Sequence, residues 1–105
     1  MSAFKINFEA MPWQEGREGV RFKLYCEGDR QLRLVDFGTA DGYDSWCELG
    51  HIGYVIKGSL SIDCNGVVHA FKTGDGIFLP SGPDSRHRAV TIEPGTQLVM
   101  VEDHH

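Results

Sequence analysis

Apolar and polar residues alternate with a period of two in one stretch of this chain after another. Val20-Arg21-Phe22-Lys23-Leu24-Tyr25-Cys26 predicts a half-buried strand with Val20, Phe22, Leu24 and Cys26 turned inward. Glu27-Gly28-Asp29 predicts a turn and Gln31 to Phe37 a returning strand, so the pair predicts a hairpin. Arg21, Lys23 and Arg33 are expected on its solvated polar face. Gly38 to Ser45 predicts a loop, and His51 to Lys57 a strand that ends at a turn or bulge on Gly58. Ser59 to Cys64 alternates cleanly into Asn65-Gly66, a pair suited to a turn that needs positive φ at both positions, and Val67 to Phe71 returns. Ile77-Phe78-Leu79, stopped by Pro80, then His87 to Ile92 and Thr96 to Glu102 complete the series. Helical periodicity is nearly absent. Eight or nine short strands with turn signals every ~8–12 residues predict an all-β sandwich or barrel and exclude a sheet built from βαβ units.

Composition narrows the class without changing it. The 105 residues predict one domain, 1–105, with an N-terminal arm over 1–18 and a barrel over 20–102. Met11-Pro12-Trp13 gives the arm apolar surface to lay over a barrel end or a partner subunit. A formal charge of −5, with its positive residues scattered, argues against a nucleic-acid partner or an anionic membrane. Three cysteines and the lack of an apolar signal segment near Met1 lead to an expectation of free thiols and a cytoplasmic location. His104 and His105 carry no functional weight.

Candidate chemistry gathers in Trp46 to Gly58. Cys47 and His51 share one face of an extended chain, ~13 Å apart if it ran straight, and Gly50 between them allows a bend that shortens the gap. His87, from a later strand, would make a third donor. A thiolate and two imidazoles suit zinc, and also iron, nickel or copper, and three protein ligands leave an open position. The same spacing fits a small buried thiol and hydrogen-bonded wall histidines. Tyr54, Cys26 and Cys64 read as core, and Trp46 as packing on the face opposite Cys47.

Two stretches together resemble the motifs of the cupin superfamily. His51 to Gly58 matches the end of its first motif, H-x-H-x(3,4)-E-x(6)-G, with His51 at the glutamate and Ser45 and Cys47 at the two histidines. Gly74, Pro80 and Gly82 match the second, G-x(5)-P-x-G-x(2)-H, with Ser85 at the strict histidine position and His87 two residues beyond. The resemblance covers roughly 20–102 and implies a double-stranded β-helix, the jelly-roll barrel. It implies a metal set of Cys47, His51 and His87, softer than three histidines and a glutamate, for a divalent transition metal such as zinc, iron, nickel or copper. It also implies a small-molecule ligand in the cavity and a homodimer. Three functions follow: a metal-dependent enzyme on a small molecule, a non-catalytic small-molecule or metal sensor, and a metal-free structural cupin. No general base stands at a diagnostic spacing, so the reaction class is open.

Overall fold

The computed structural model describes residues 4–103; His104 and His105 lie outside the described residues. Nine strands follow one another: β1 (Gln14–Glu15), β2 (Arg21–Glu27), β3 (Arg30–Asp36), β4 (His51–Lys57), β5 (Ser59–Cys64), β6 (Val67–Lys72), β7 (Gly76–Leu79), β8 (His87–Ile92) and β9 (Gln97–Asp103). They form two antiparallel sheets, β1-β2-β3-β9-β4-β7 and β6-β5-β8. Single 3-10 turns at Phe8–Ala10 and Pro83–Ser85 are the helical elements among the described residues. No helix among them is long and apolar enough to cross a membrane. The architecture is an all-β jelly roll.

The alternating pattern builds the core. Val35, Leu98 and Met100 of the larger sheet and Leu60, Ile62 and Ile92 of the smaller belong to one buried cluster, with Val55 and Ile77. The chain changes sheets between β4 and β5 through one residue, Gly58, at φ 89°. A Cβ there would stand 2.4 Å from Thr96 Oγ1. That hydroxyl is fully buried and donates toward Glu93 O and Ser59 O at 2.7 and 3.1 Å, tying the crossing to the turn before β9. Asn65 and Gly66, at φ 48° and 100°, make the β5–β6 hairpin turn with the geometry their pairing predicts.

Several side chains sit elsewhere than their alternation implies. The register pairs Leu24 with Arg33, so Arg33 shares the inward face of β3 instead of the solvated one. Lys23 points outward yet is buried, because the arm covers it: its Nζ donates to Phe8 O at 2.6 Å and lies 4.6 Å from the Trp13 ring. Cys26 is exposed rather than core, since it stands next to the β2–β3 turn where the strand leaves the barrel. Tyr54, also expected inside, is about half exposed on the outer face of β4. The arm contributes a short strand, β1, that the sequence pattern does not signal; it pairs Gln14 with Phe22 and Glu15 with Arg21.

Candidate metal centre

The end of the barrel interior nearest the β2–β3 turn is polar. Cys47 precedes β4 and forms an isolated bridge with His87, the first residue of β8. Cys47 N donates to His87 O at 2.8 Å and His87 N to Cys47 O at 2.9 Å. This reciprocal pair brings the two side chains together from distant parts of the chain. Gly50 then lets the backbone pass close against the end of β7, since a Cβ there would lie 2.8 Å from both Leu79 O and Ser81 Oγ. Its N–H donates to Ser81 Oγ at 2.7 Å. Cys47 Sγ lies 3.8 Å from His51 Nε2, far inside the straight-strand separation.

The donor atoms of Cys47, His51 and His87 all lie within 4.8 Å of one another. The two imidazole rings meet edge-on with centroids 4.8 Å apart. Each ring is held by its other nitrogen. His51 Nδ1 lies against the Glu102 carboxylate, and His87 Nδ1 lies 3.2 Å from Ser85 O. Both contacts favour the tautomer with the proton on Nδ1 and a lone pair on Nε2. His87 is only 5% exposed and its Nε2 has no hydrogen-bond partner. A buried imidazole nitrogen with nothing to bond is costly unless a ligand uses it. Burial, reinforced by His51, lowers the His87 pKa below 6.5 against the opposing pull of Ser85 and Glu102, so the ring is neutral and its lone pair free. These three residues could hold a divalent transition metal, and their mixed sulfur and nitrogen set suits zinc, iron, nickel or copper.

Pattern reading misses the group behind the trio. Glu102, 5% exposed, accepts from Gln31 Nε2 and Arg33 Nη2, both at 2.8 Å. Burial alone would raise its pKa. The contact with His51, the Arg33 charge and the Gln31 hydrogen bond outweigh this and bring it to about 2. The register pairs Glu102 with both Gln31 and His51, so these residues form a row across three strands on one face. The available signal is the spacing of Gln31 and Arg33, two apart, with the apolar Leu32 and Leu34 on the other face; only the pairing shows which face is inside.

The remaining candidates scatter. Ser45 is exposed and lines the cavity. Ser85 supplies a carbonyl rather than its hydroxyl. The Pro83–Ser85 turn occupies the extra loop length before His87. Trp46 packs against cations, with Arg86 and Arg88 at 4.3 and 4.6 Å from its ring centroid. Cys64 is half-buried against the core, and Glu48 is exposed.

The trio opens on a cavity of about 300 Å³ between the sheets, with Phe22, Val35, Leu60 and Leu98 in its wall. Solved structures share this two-sheet architecture. KdgF from Halomonas sp. superposes with a TM-score of 0.78 over 100% of this chain and 96% of its own, at 26% identity. An RmlC-like cupin from Shewanella frigidimarina gives 0.80 over 99% and 93%, at 19% identity. The chain has the cupin fold. The polyketide cyclase RemF from Streptomyces resistomycificus shares the fold, with a TM-score of 0.71 over 99% and 81% at 18% identity. No family model and no curated protein matches this sequence.

Proposed function

We propose that this cupin binds a divalent transition metal through Cys47, His51 and His87 and takes a small molecule into the cavity beside it. The observation that carries the reading is the convergence of three donor atoms within 4.8 Å, one of them the partnerless and buried His87 Nε2, on the wall of a cavity between the sheets. When bound, the metal supplies a Lewis acid to an oxygen of the small molecule. The chain does the rest. Glu102 orients His51, Ser85 O orients His87, and the apolar wall excludes water from the bound molecule. The residues present give no reaction class, so binding is the function stated.

Metal analysis of tag-free protein tests it. The expected result is close to one equivalent of zinc, iron, nickel or copper, lost in Cys47→Ser and His87→Ala while both variants keep the wild-type far-ultraviolet spectrum. Protein that takes up no transition metal when offered each in turn would leave the structural reading in its place.

A homodimer is the second part of the proposal. On the outer face of the larger sheet, the register sets Ile52 beside Phe78 and Val101, Tyr54 beside Val99, and Leu32 and Leu34 beside Val101 and Val99. Phe78 is 74% exposed there, and Ile52 and Tyr54 are close to half exposed. A continuous apolar face of this kind supports self-association about a two-fold axis, which places like against like.

A further inference from the structure

Arg17 stands at the mouth of the cavity in the loop between β1 and β2, and its guanidinium lies 5.2 Å from the centroid of the Tyr43 ring. Both side chains line the cavity, as does Arg33. The three act on one another electrostatically. Burial raises the Tyr43 pKa above 10, the charges of Arg17 and Arg33 pull it down, and Glu18 on the same loop pushes it up. Among the described residues the Tyr43 hydroxyl has no hydrogen-bond partner and Arg17 has no ion-pair partner. Glu18 does not line the cavity, and neither does any other aspartate or glutamate.

This distribution runs against the rest of the molecule. The chain carries a net charge of −5, yet among the described residues the cavity wall holds arginines and no aspartate, glutamate or lysine. Arg33 is balanced by Glu102, which it meets at 2.8 Å from behind the wall. Arg88 turns its guanidinium onto Trp46 and donates to Asp44 O at 3.3 Å. Arg17 therefore remains as the unbalanced cation, with a phenol donor beneath it. A guanidinium presents a planar fork that matches a carboxylate. One unbalanced positive charge and one phenol suit a monoanion better than a doubly charged phosphate.

We propose that the cavity takes a small monocarboxylic acid with an apolar body, its carboxylate held by Arg17 and the Tyr43 hydroxyl, with Arg33 adding field from behind. The inference rests on the proposed binding of a small molecule in this cavity and names its class. The apolar body lies along Phe22, Val35 and Leu98, which directs the far end of the molecule toward Cys47, His51 and His87. A cavity of about 300 Å³ admits an acid of benzoate size.

Calorimetric titration with benzoate, pyruvate, benzamide and inorganic phosphate tests this, on metal-free and zinc-loaded protein. The expected result is saturable binding of at least one of the two carboxylates, about ten-fold or more tighter than benzamide and phosphate. Arg17→Gln weakens carboxylate binding about ten-fold, and Tyr43→Phe weakens it less. Arg17 lies on an exposed loop, so its replacement leaves the fold intact. Lack of binding by both carboxylates, equal binding of benzoate and benzamide, or an Arg17→Gln variant with wild-type affinity would each overturn the proposal. The two proposals fail separately: protein that takes up no transition metal yet binds carboxylate defeats only the metal reading, and zinc-loaded protein indifferent to carboxylate defeats only this one.

Discussion

Glu102 on β9 holds His51 on β4 by its Nδ1, across a strand pair in direct register, while His51 Nε2 faces Cys47. A carboxylate behind a ligating imidazole fixes both the tautomer and the ring orientation, and raises the basicity of the nitrogen in front. Replacing Glu102 by Gln keeps the shape and removes the charge. The variant is expected to bind zinc about 10–100-fold more weakly than the wild type, measured by competition with a chelator. It should also lose about 1–3 kcal/mol of stability toward urea, because the half-buried Arg33 loses its charged partner.

Acid stability follows from Asp36. Burial works to raise the pKa of this carboxyl. Hydrogen bonds from Gln97 Nε2 at 3.0 Å, Gly38 N at 2.8 Å and Arg21 Nη2 at 3.2 Å, together with the Arg21 charge, outweigh burial and bring it below 3.8. The unfolded chain therefore takes up the proton first as the pH falls. The contribution is complete above the unfolded pKa, about 3.9, and is lost as the pH drops through the lower folded value. Asp36→Asn should be less stable than the wild type at pH 7 and should show a flatter stability curve between pH 5 and pH 3, read from urea midpoints at each pH.

Gly58 tests the crossing between sheets. Alanine at φ 89° is strained, and its methyl would enter the space of Thr96 Oγ1, 2.4 Å from the ideal Cβ. Gly58→Ala is expected to cost about 1–3 kcal/mol in the urea midpoint. Gly66→Ala, with nothing within 4 Å of its Cβ, should cost less. Equal losses in the two variants would show that the backbone conformation, rather than the contact with Thr96, governs the position.

The outer face of the larger sheet predicts the oligomeric state. Phe78→Glu places a charge at the β7 end of the apolar stripe, opposite Ile52. Light scattering should find the wild type as a dimer and this variant as a monomer, with unchanged far-ultraviolet circular dichroism. A wild type that is monomeric at all concentrations would remove the dimer from the proposal.

The sequence by itself determined the strands and the turns between them. Alternation at period two, Asn65-Gly66, Gly58 and Pro80 are local features, and they act through backbone conformation and side-chain direction. They also carried the resemblance that placed Cys47, His51 and His87 in one set. The tertiary structure decided which face of each strand is the inside. At one end of the barrel the alternation is inverted: Leu32, Leu34, Val99 and Val101 turn outward while Gln31, Arg33 and Glu102 turn in. A period of two shows that two faces differ and cannot say which is enclosed. Lys23 makes the same point from the other side, a cation on the outer face buried by the N-terminal arm folding back over it. The spacing of Cys47 and His51 likewise became a contact where β8 pairs with Cys47 and Gly50 packs closely against the end of β7. The juxtaposition of Arg17, Tyr43 and Arg33 depends in the same way on bringing a loop, a second loop and a strand to one cavity wall, and nothing in their separate sequence contexts marks it.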